Sequence, residues 1–117
     1  MQNFRNLKVW EKAHKHTLDV YKITSNFPKA EIYGLTIQIR RSVSSIAANI
    51  AEGCGKGSQK DFAKYLQIAL GSAHETEYFL LLSRDLNYIS ATEHEFLNQN
   101  INEIKGMLIG LVKKVNI

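Results

Sequence analysis

Apolar residues recur at alternating steps of three and four along most of this 117-residue chain. That spacing places them on one face of a helix, which turns once every ~3.6 residues. The chain has a single proline, and three of its seven glycines are clustered between residues 53 and 57. Breaks between helices are therefore few, and the helices should be long. The pattern predicts an all-α fold and argues against a β-sandwich, which needs many more turn residues.

Four helices joined by short connections are predicted. Pro28 ends the first helix, because proline disfavours helical geometry at the residue before it. A glycine in the left-handed conformation is expected to end the second. Short connections favour antiparallel neighbours, so we predict an antiparallel up-and-down four-helix bundle that forms one domain over residues 1–117. The expected bounds are Leu7 to about Ser25, Lys29 or Glu31 to Glu52, Ser58 to about Asn87, and Ser90 or Thr92 to Val115.

The second helix has two surfaces besides its apolar stripe. Hydrogen-bonding side chains lie about 120° round from that stripe, and alanines and serines fill much of the remainder. Because small side chains let neighbouring helices come close, we expect contacts on more than one side, including one with another subunit. The polar stripe consists of Gln38, Arg41, Ser45, Asn49 and Glu52.

The net charge of +4 is unevenly distributed. Residues 1–57 contain nine basic and four acidic residues, and the remaining residues contain six and seven. Such an asymmetry is a hint of a polyanionic partner. The outer face of the first helix is cationic, with Lys8, Lys12 and Lys15 in one stripe. The stripe is interpreted either as a solvated lysine-rich surface or as a contact with nucleic acid.

Arg40 and Arg41 are adjacent and lie about 100° apart on the second helix. Arg41 is expected to pair with an acidic residue of a neighbouring helix, and Arg40 to be available to an external partner. Lys56 lies in the sequence GCGKGS, which lacks the Walker pattern because Gly57 follows the lysine and a helix precedes it. The candidate nucleic-acid contacts are therefore Lys8, Lys12, Lys15, Arg40 and Lys56.

No residue pattern indicates catalysis. His14 and His16 point to different sides of a helix, and no HExxH, CxxC or EF-hand pattern is present. Cys54 has no histidine near it in sequence to activate it. We therefore expect a protein that is not an enzyme and that has no catalytic residues, metal site or cofactor.

The sequence also predicts the compartment. The first residues are charged from position 5 onward and lack an apolar core, so no signal peptide is expected. The longest apolar run, Tyr78–Leu82, is five residues, whereas a membrane span needs roughly 20. A single cysteine suits a reducing environment. The expected location is cytoplasmic, without membrane contact.

Three segments together resemble a known bacterial family. They are FRNLKVWEKA, FPKAEIYGLTIQIRRSVSSIAANIAEG and SQKDFAKYLQIALGSAHETEYFLLLSRDLNYI. They are similar to the four-helix-bundle family encoded by intervening sequences within 23S rRNA genes, whose members are often described as ribosomal-protein-like. The resemblance extends from Phe4 to about Ile89.

The resemblance implies a bundle that assembles into a ring, typically a homopentamer. It also implies kinship with the accessory protein of diversity-generating retroelements, a basic pentamer that acts with nucleic acid. Five chains at +4 each would total +20, which would strengthen the electrostatic attraction of the assembly to a phosphate backbone. The leading hypothesis is a homo-oligomer that binds RNA or DNA. The alternative is a scaffold whose ring recruits a protein partner.

Overall fold

Four α-helices make up the computed structural model, which describes residues 2–116. Helix α1 spans Lys8–Thr24, α2 Leu35–Cys54, α3 Gln59–Asp85 and α4 Ala91–Val115. Two 3-10 turns, Phe4–Asn6 and Lys29–Glu31, precede α1 and α2. No strand occurs within the described residues, and the molecule measures 43 × 24 × 20 Å. The predicted all-α bundle is confirmed.

Contacts between successive helices show that they run antiparallel. The N–H of Gln2, which precedes α1, donates to the carbonyl of Cys54 at the end of α2 over 3.0 Å. At the other end of the same pair, Arg40 of α2 donates to the hydroxyl of Thr24 over 2.8 Å. Helices α1 and α4 are also antiparallel, because Lys12 pairs with Glu103 whereas His16, further along α1, contacts Leu97, which comes earlier in α4. Each helix thus packs beside the next, and α4 closes the bundle against α1.

Helices α2 and α3 meet through unusually small side chains. The hydroxyl of Ser45 lies 3.0 Å from that of Ser72, and the hydroxyls of Ser42 and Thr76 are also 3.0 Å apart. Near the end of α2, a Cβ added at Gly53 would lie only 2.9 Å from the Cβ of Tyr65. The polar and small residues of α2 therefore bring α3 close, as their sequence predicts.

The hydrophobic core follows the repeating apolar positions of all four helices. In α2 and α3 the apolar residues that recur every three or four positions are buried, and in α4 Leu97, Ile101, Ile104 and Leu108 are buried. In α1 the core includes Val9 and His16. The largest fully buried apolar side chains are Ile39, Ile46, Ile50, Leu66, Leu80, Leu97, Ile101, Ile104 and Leu108.

The start of α2 differs from the prediction. The helix begins at Leu35, and the predicted first residues form the separate turn Lys29–Glu31. The carboxylate of Glu31 accepts a hydrogen bond from the N–H of Leu35 over 3.1 Å and another from the hydroxyl of Tyr88 over 2.8 Å. Glu31 therefore satisfies a free N–H of α2 from outside the helix, because the chain bends at Gly34.

The residues that cap the helices agree only in part with the prediction. Helix α2 ends at Cys54, but no described glycine has a positive φ, so the expected left-handed glycine cap is wrong. The left-handed residue lies after α3 instead, at Asn87, with φ of 63°. At α4, Ser90 and Glu93 form a capping box, which selects Ser90 over Thr92 as the cap.

Among residues 2–116, no helix is both long enough and apolar enough to cross a bilayer. Each helix instead carries charged residues along one or more faces.

Two glycine substitutions test the close approach of α2 and α3. Gly53→Ala should destabilise the protein by about 1 kcal/mol or more, since the added Cβ meets Tyr65 at 2.9 Å and Phe62 at 3.1 Å. Gly106→Ala is the matched control, because nothing lies within 4 Å of its Cβ and alanine favours a helix by up to about 1 kcal/mol. Urea unfolding of both variants measures the difference. Equal stabilities would contradict the close contact at Gly53.

Candidate nucleic-acid interface

The predicted lysines of α1 lie along its junction with α4. Lys8, Lys12 and Lys15 are all exposed on the outer face of α1. The ammonium of Lys12 forms an ion pair with Glu103 of α4, and one turn further along α1 the ring of His16 contacts the carbonyl of Leu97. The structure therefore places the three lysines along the junction of α1 and α4, with Lys12 and Lys15 at one cavity and Lys8 at another.

A fourth lysine joins them from the far end of the chain. Lys114, in the last turn of α4, lines with Lys8 an open groove of about 320 Å³. The groove has an apolar floor that includes Met107 and Leu111. The sequence prediction missed Lys114, although the antiparallel arrangement of α1 and α4 was a usable signal. We refer to Lys8, Lys12, Lys15 and Lys114 as the lysine row.

Acidic side chains partly offset the lysine row. Lys12 pairs with Glu103, and Lys15 lies 3.6 Å from the carboxylate of Asp19 one turn along α1. The lysine side chains in these pairs remain 45% and 74% exposed. Exposed ion pairs contribute about 0–1 kcal/mol, so a phosphate group competes with them at little cost. The row keeps an excess of positive charge after both pairs are counted.

Lys56 lies around the end of the bundle from the row. Its ammonium is 3.9 Å from the carboxylate of Glu52 and 5.1 Å from the ring centroid of Tyr65. Lys56 and Lys114 line the same open cavity of about 610 Å³, beside Ser58 at the start of α3. Lys56 is therefore connected to the lysine row through Lys114.

Arg40 is on another side of the molecule and is not free. Its guanidinium donates to the hydroxyl of Thr24 over 2.8 Å and to the carbonyl of Tyr21 over 3.1 Å. It also stacks 4.7 Å from the Tyr21 ring centroid. These contacts join α2 to the end of α1, so the expectation that Arg40 is the more available arginine is wrong.

Arg41 has the opposite environment to the one expected. Its side chain is exposed, and among residues 2–116 it forms no ion pair or hydrogen bond. The prediction that Arg41 pairs with an acidic residue of a neighbouring helix is therefore wrong within a single chain. A helical wheel separates the two arginines correctly but does not show which neighbour lies on which side.

His16 lines the same cavity between α1 and α4 as Lys12 and Lys15. Its side chain is only 1% exposed, and its Nε2 is 3.0 Å from the carbonyl of Leu97. Because a carbonyl only accepts hydrogen bonds, Nε2 carries the proton and Nδ1 is an acceptor. Nδ1 has no partner among the described residues. Burial lowers the pKa of His16 below its ordinary value of 6.5, despite opposing effects of the Leu97 carbonyl and Asp19.

A small cavity of about 170 Å³ adjoins this histidine. On the α4 side it is lined by Phe96, Asn100 and Ile104, and on the α1 side by the two lysines and Asp19. Phe96 is 52% exposed, which is unusual for a large aromatic ring. Sequence analysis missed both Phe96 and Asn100, because only the folded bundle places them beside the lysines.

The described residues contain little that could support catalysis. Within residues 2–116, no group of three or more His, Cys, Asp or Glu side chains could hold a metal ion. Cys54 is buried, and burial raises the pKa of its thiol, which keeps it protonated and poorly nucleophilic. His14 is stacked on the ring of Trp10, with the centroids 5.0 Å apart.

Comparisons with known proteins identify relatives of the chain. A family model described as 23S rRNA-intervening sequence protein matches residues 5–110. The chain is also similar to a crystal structure of a protein with unknown function from the S23 ribosomal protein family of Bacteroides thetaiotaomicron. The two are 35% identical, with a TM-score of 0.81, and the match covers 90% of this chain and 98% of the other. No curated protein matches significantly.

The environment of His16 predicts how stability depends on pH. Its folded pKa is lowered, so the unfolded chain takes up a proton more readily as the pH falls through 6.5. The contribution of neutral His16 is thus present above that pH and lost below it. The unfolding temperature should fall between about pH 7.5 and pH 5.5. His94, whose pKa burial also lowers, acts in the same direction.

Two variants measure how much of this pH dependence of the unfolding temperature is due to His16. His16→Gln can still donate to the Leu97 carbonyl but does not titrate, so its unfolding temperature should fall less over the same pH range. His14→Gln is the control, since His14 is exposed. Thermal unfolding followed by circular dichroism gives all three curves. A fall in His16→Gln as large as in the wild type would assign the effect to other groups.

Proposed function

The chain belongs to the 23S rRNA-intervening sequence protein family, and from this premise we propose that it is a non-enzymatic, homo-oligomeric protein that binds RNA or other nucleic acid in the bacterial cytoplasm. The lysine row is the observation that carries the proposal. Four lysines from the two ends of the sequence line one side of the bundle. Neither the family description nor that of the solved relative indicates an enzyme.

The chemistry of the row favours phosphate contacts. Lysine is a compact point charge on a flexible stem, so it binds a phosphate backbone without strict geometry. The basic residues lie along the first half of α1 and around one end of the bundle, from Lys15 to Lys114 and Lys56. A linear polyanion can therefore contact several of them at once. Arg40 is removed from the proposed contacts because it holds α2 against α1.

The exposed surface of α2 supports assembly. The exposed residues of α2, which form its outer stripe, are Ile37, Gln38, Arg41, Ala48 and Glu52. Tyr33 lies just before the helix with 89% of its surface exposed. Exposed large apolar side chains such as Tyr33 and Ile37 favour a surface that a partner covers. A second copy that covers the outer stripe would bury Tyr33 and Ile37. We propose this stripe as part of the contact in a ring, with five copies as the expected number.

Light scattering on the purified protein tests the assembly. A pentamer should have five times the chain mass of 13.3 kDa. Ile37→Asp should lower the mass toward that of a single chain, because it places a charge in the proposed contact. Ile109→Asp is the matched control, since Ile109 is 40% exposed on α4 and Ile37 is 38% exposed on α2. A monomeric wild type, or equal masses for both variants, would contradict this contact.

Salt-dependent binding tests the lysine row. The wild type should bind labelled RNA with a micromolar or lower Kd at low salt. Replacing Lys8, Lys12 and Lys15 by alanine should weaken binding and reduce the slope of log K against log salt by about 2, since each single-strand phosphate contact contributes about 0.7. The control replaces Lys29, Lys60 and Lys64, which removes equal charge from other surfaces.

The outcomes separate the two candidate roles. An unchanged salt slope in the α1 variant, or an equal loss in the control, would show that the row is not the contact. Absence of binding to any single-stranded or structured RNA or DNA at low salt would refute nucleic-acid binding. A protein partner that is retained after nuclease treatment would then favour the scaffold.

A further inference from the structure

The cavity between α1 and α4 differs from the rest of the lysine row. It has a volume of about 170 Å³, several times the ~30 Å³ that one water occupies in the liquid. One wall is the exposed ring of Phe96, and the floor includes His16, which is buried and has an unpartnered nitrogen. The cavity thus combines an aromatic surface with an unused hydrogen-bond acceptor.

The polar groups of the cavity disfavour a phosphate inside it. The carboxylate of Asp19 repels an anion. The acceptor nitrogen of His16 has no proton to donate to one. The same groups suit a planar ligand that presents N–H donors. Asn100 can donate or accept, so it adds a contact to either edge of such a ligand. The lysines at the rim, Lys12 and Lys15, suit the phosphates on either side.

We propose that this cavity receives one unpaired base of a single-stranded nucleic acid whose phosphates lie along the lysine row. The inference rests on the proposed function and names the class of ligand: a single strand with a base that carries an exocyclic amine. The base stacks on Phe96, and its amine donates to Asp19 and to Nδ1 of His16. Recognition of unpaired bases by stacking and edge contacts is the usual mode for single strands.

Access to the histidine requires a small movement. Nδ1 is covered in the structure, with less than 1 Å² exposed. The long side chains of Lys12 and Lys15 are the parts of the wall that can rotate most freely. A phosphate that draws Lys12 away from Glu103 would move one of these side chains from the wall of the cavity.

The test compares single-stranded and paired ligands by fluorescence anisotropy. Labelled oligo(C) and oligo(U) of about 10 nucleotides and an RNA duplex of equal length serve as probes. The wild type should bind oligo(C) more tightly than oligo(U), because cytosine has an amine where uracil has an acceptor, and both more tightly than the duplex. Asp19→Asn should reduce the preference for oligo(C), since the amide also offers a donor.

Phe96→Ala should weaken single-strand binding by about 5- to 150-fold, the range for loss of one stacked base. Its salt slope should stay at the wild-type value, because no phosphate contact is removed. Phe96→Trp should keep the affinity. Tyr78→Ala is the control, since Tyr78 is 57% exposed on α3, outside both the cavity and the outer stripe of α2. Circular dichroism establishes that each variant folds.

The results distinguish this inference from the proposed function. Wild-type affinity in Phe96→Ala, together with loss of binding in the Lys8/Lys12/Lys15 variant, would overturn the base pocket and leave the lysine row as the contact. Equal affinity for the single strand and the duplex would also overturn the base pocket and leave the lysine row as the contact. Absence of binding by the wild type would refute the proposed function, and the pocket with it. An equal loss in Tyr78→Ala would also overturn the pocket.

Discussion

The close approach of α2 to α3 is the tightest helix contact that the side chains of the bundle impose. It depends on small side chains, with serine hydroxyls 3.0 Å apart and no room for a Cβ at Gly53. The α1–α4 junction instead contains long side chains, among them Lys12, Glu103 and Phe96. Long side chains hold two helices apart at their outer edges. For this reason the α1–α4 junction has open grooves, and the candidate binding residues lie there.

The core could be predicted from sequence because burial follows a local rule. The residues from Ile39 to Ile50 in α2 recur every three or four positions, and that period alone places them on one face. The start of α2 could not be predicted in the same way. Its cap is the carboxylate of Glu31, positioned partly by Tyr88 from beyond α3. A cap that depends on a residue so distant in sequence gives no local pattern.

The candidate site was predictable only in part, for the same reason. The stripe of Lys8, Lys12 and Lys15 lies on one helix and is visible in the sequence. Lys114 and Phe96 lie on α4 and reach the site only through the antiparallel packing of the bundle. The two arginines show the limit of a helical wheel, which gives angles but not neighbours. Arg40 proved to face α1, and Arg41 proved to be exposed.

The positions of the surfaces make assembly and nucleic-acid binding compatible. In the described part of the chain α2 packs on α1 and α3 but not on α4, so α2 and α4 are diagonal to each other. A partner copy on the outer stripe of α2 would therefore leave the α1–α4 groove uncovered. Each copy would then add another lysine row to the same assembly. A single row, in which two lysines are paired with acidic side chains, attracts a nucleic-acid strand only weakly. Several rows within reach of one strand bind it together. Assembly would thus supply the field that one chain of charge +4 lacks.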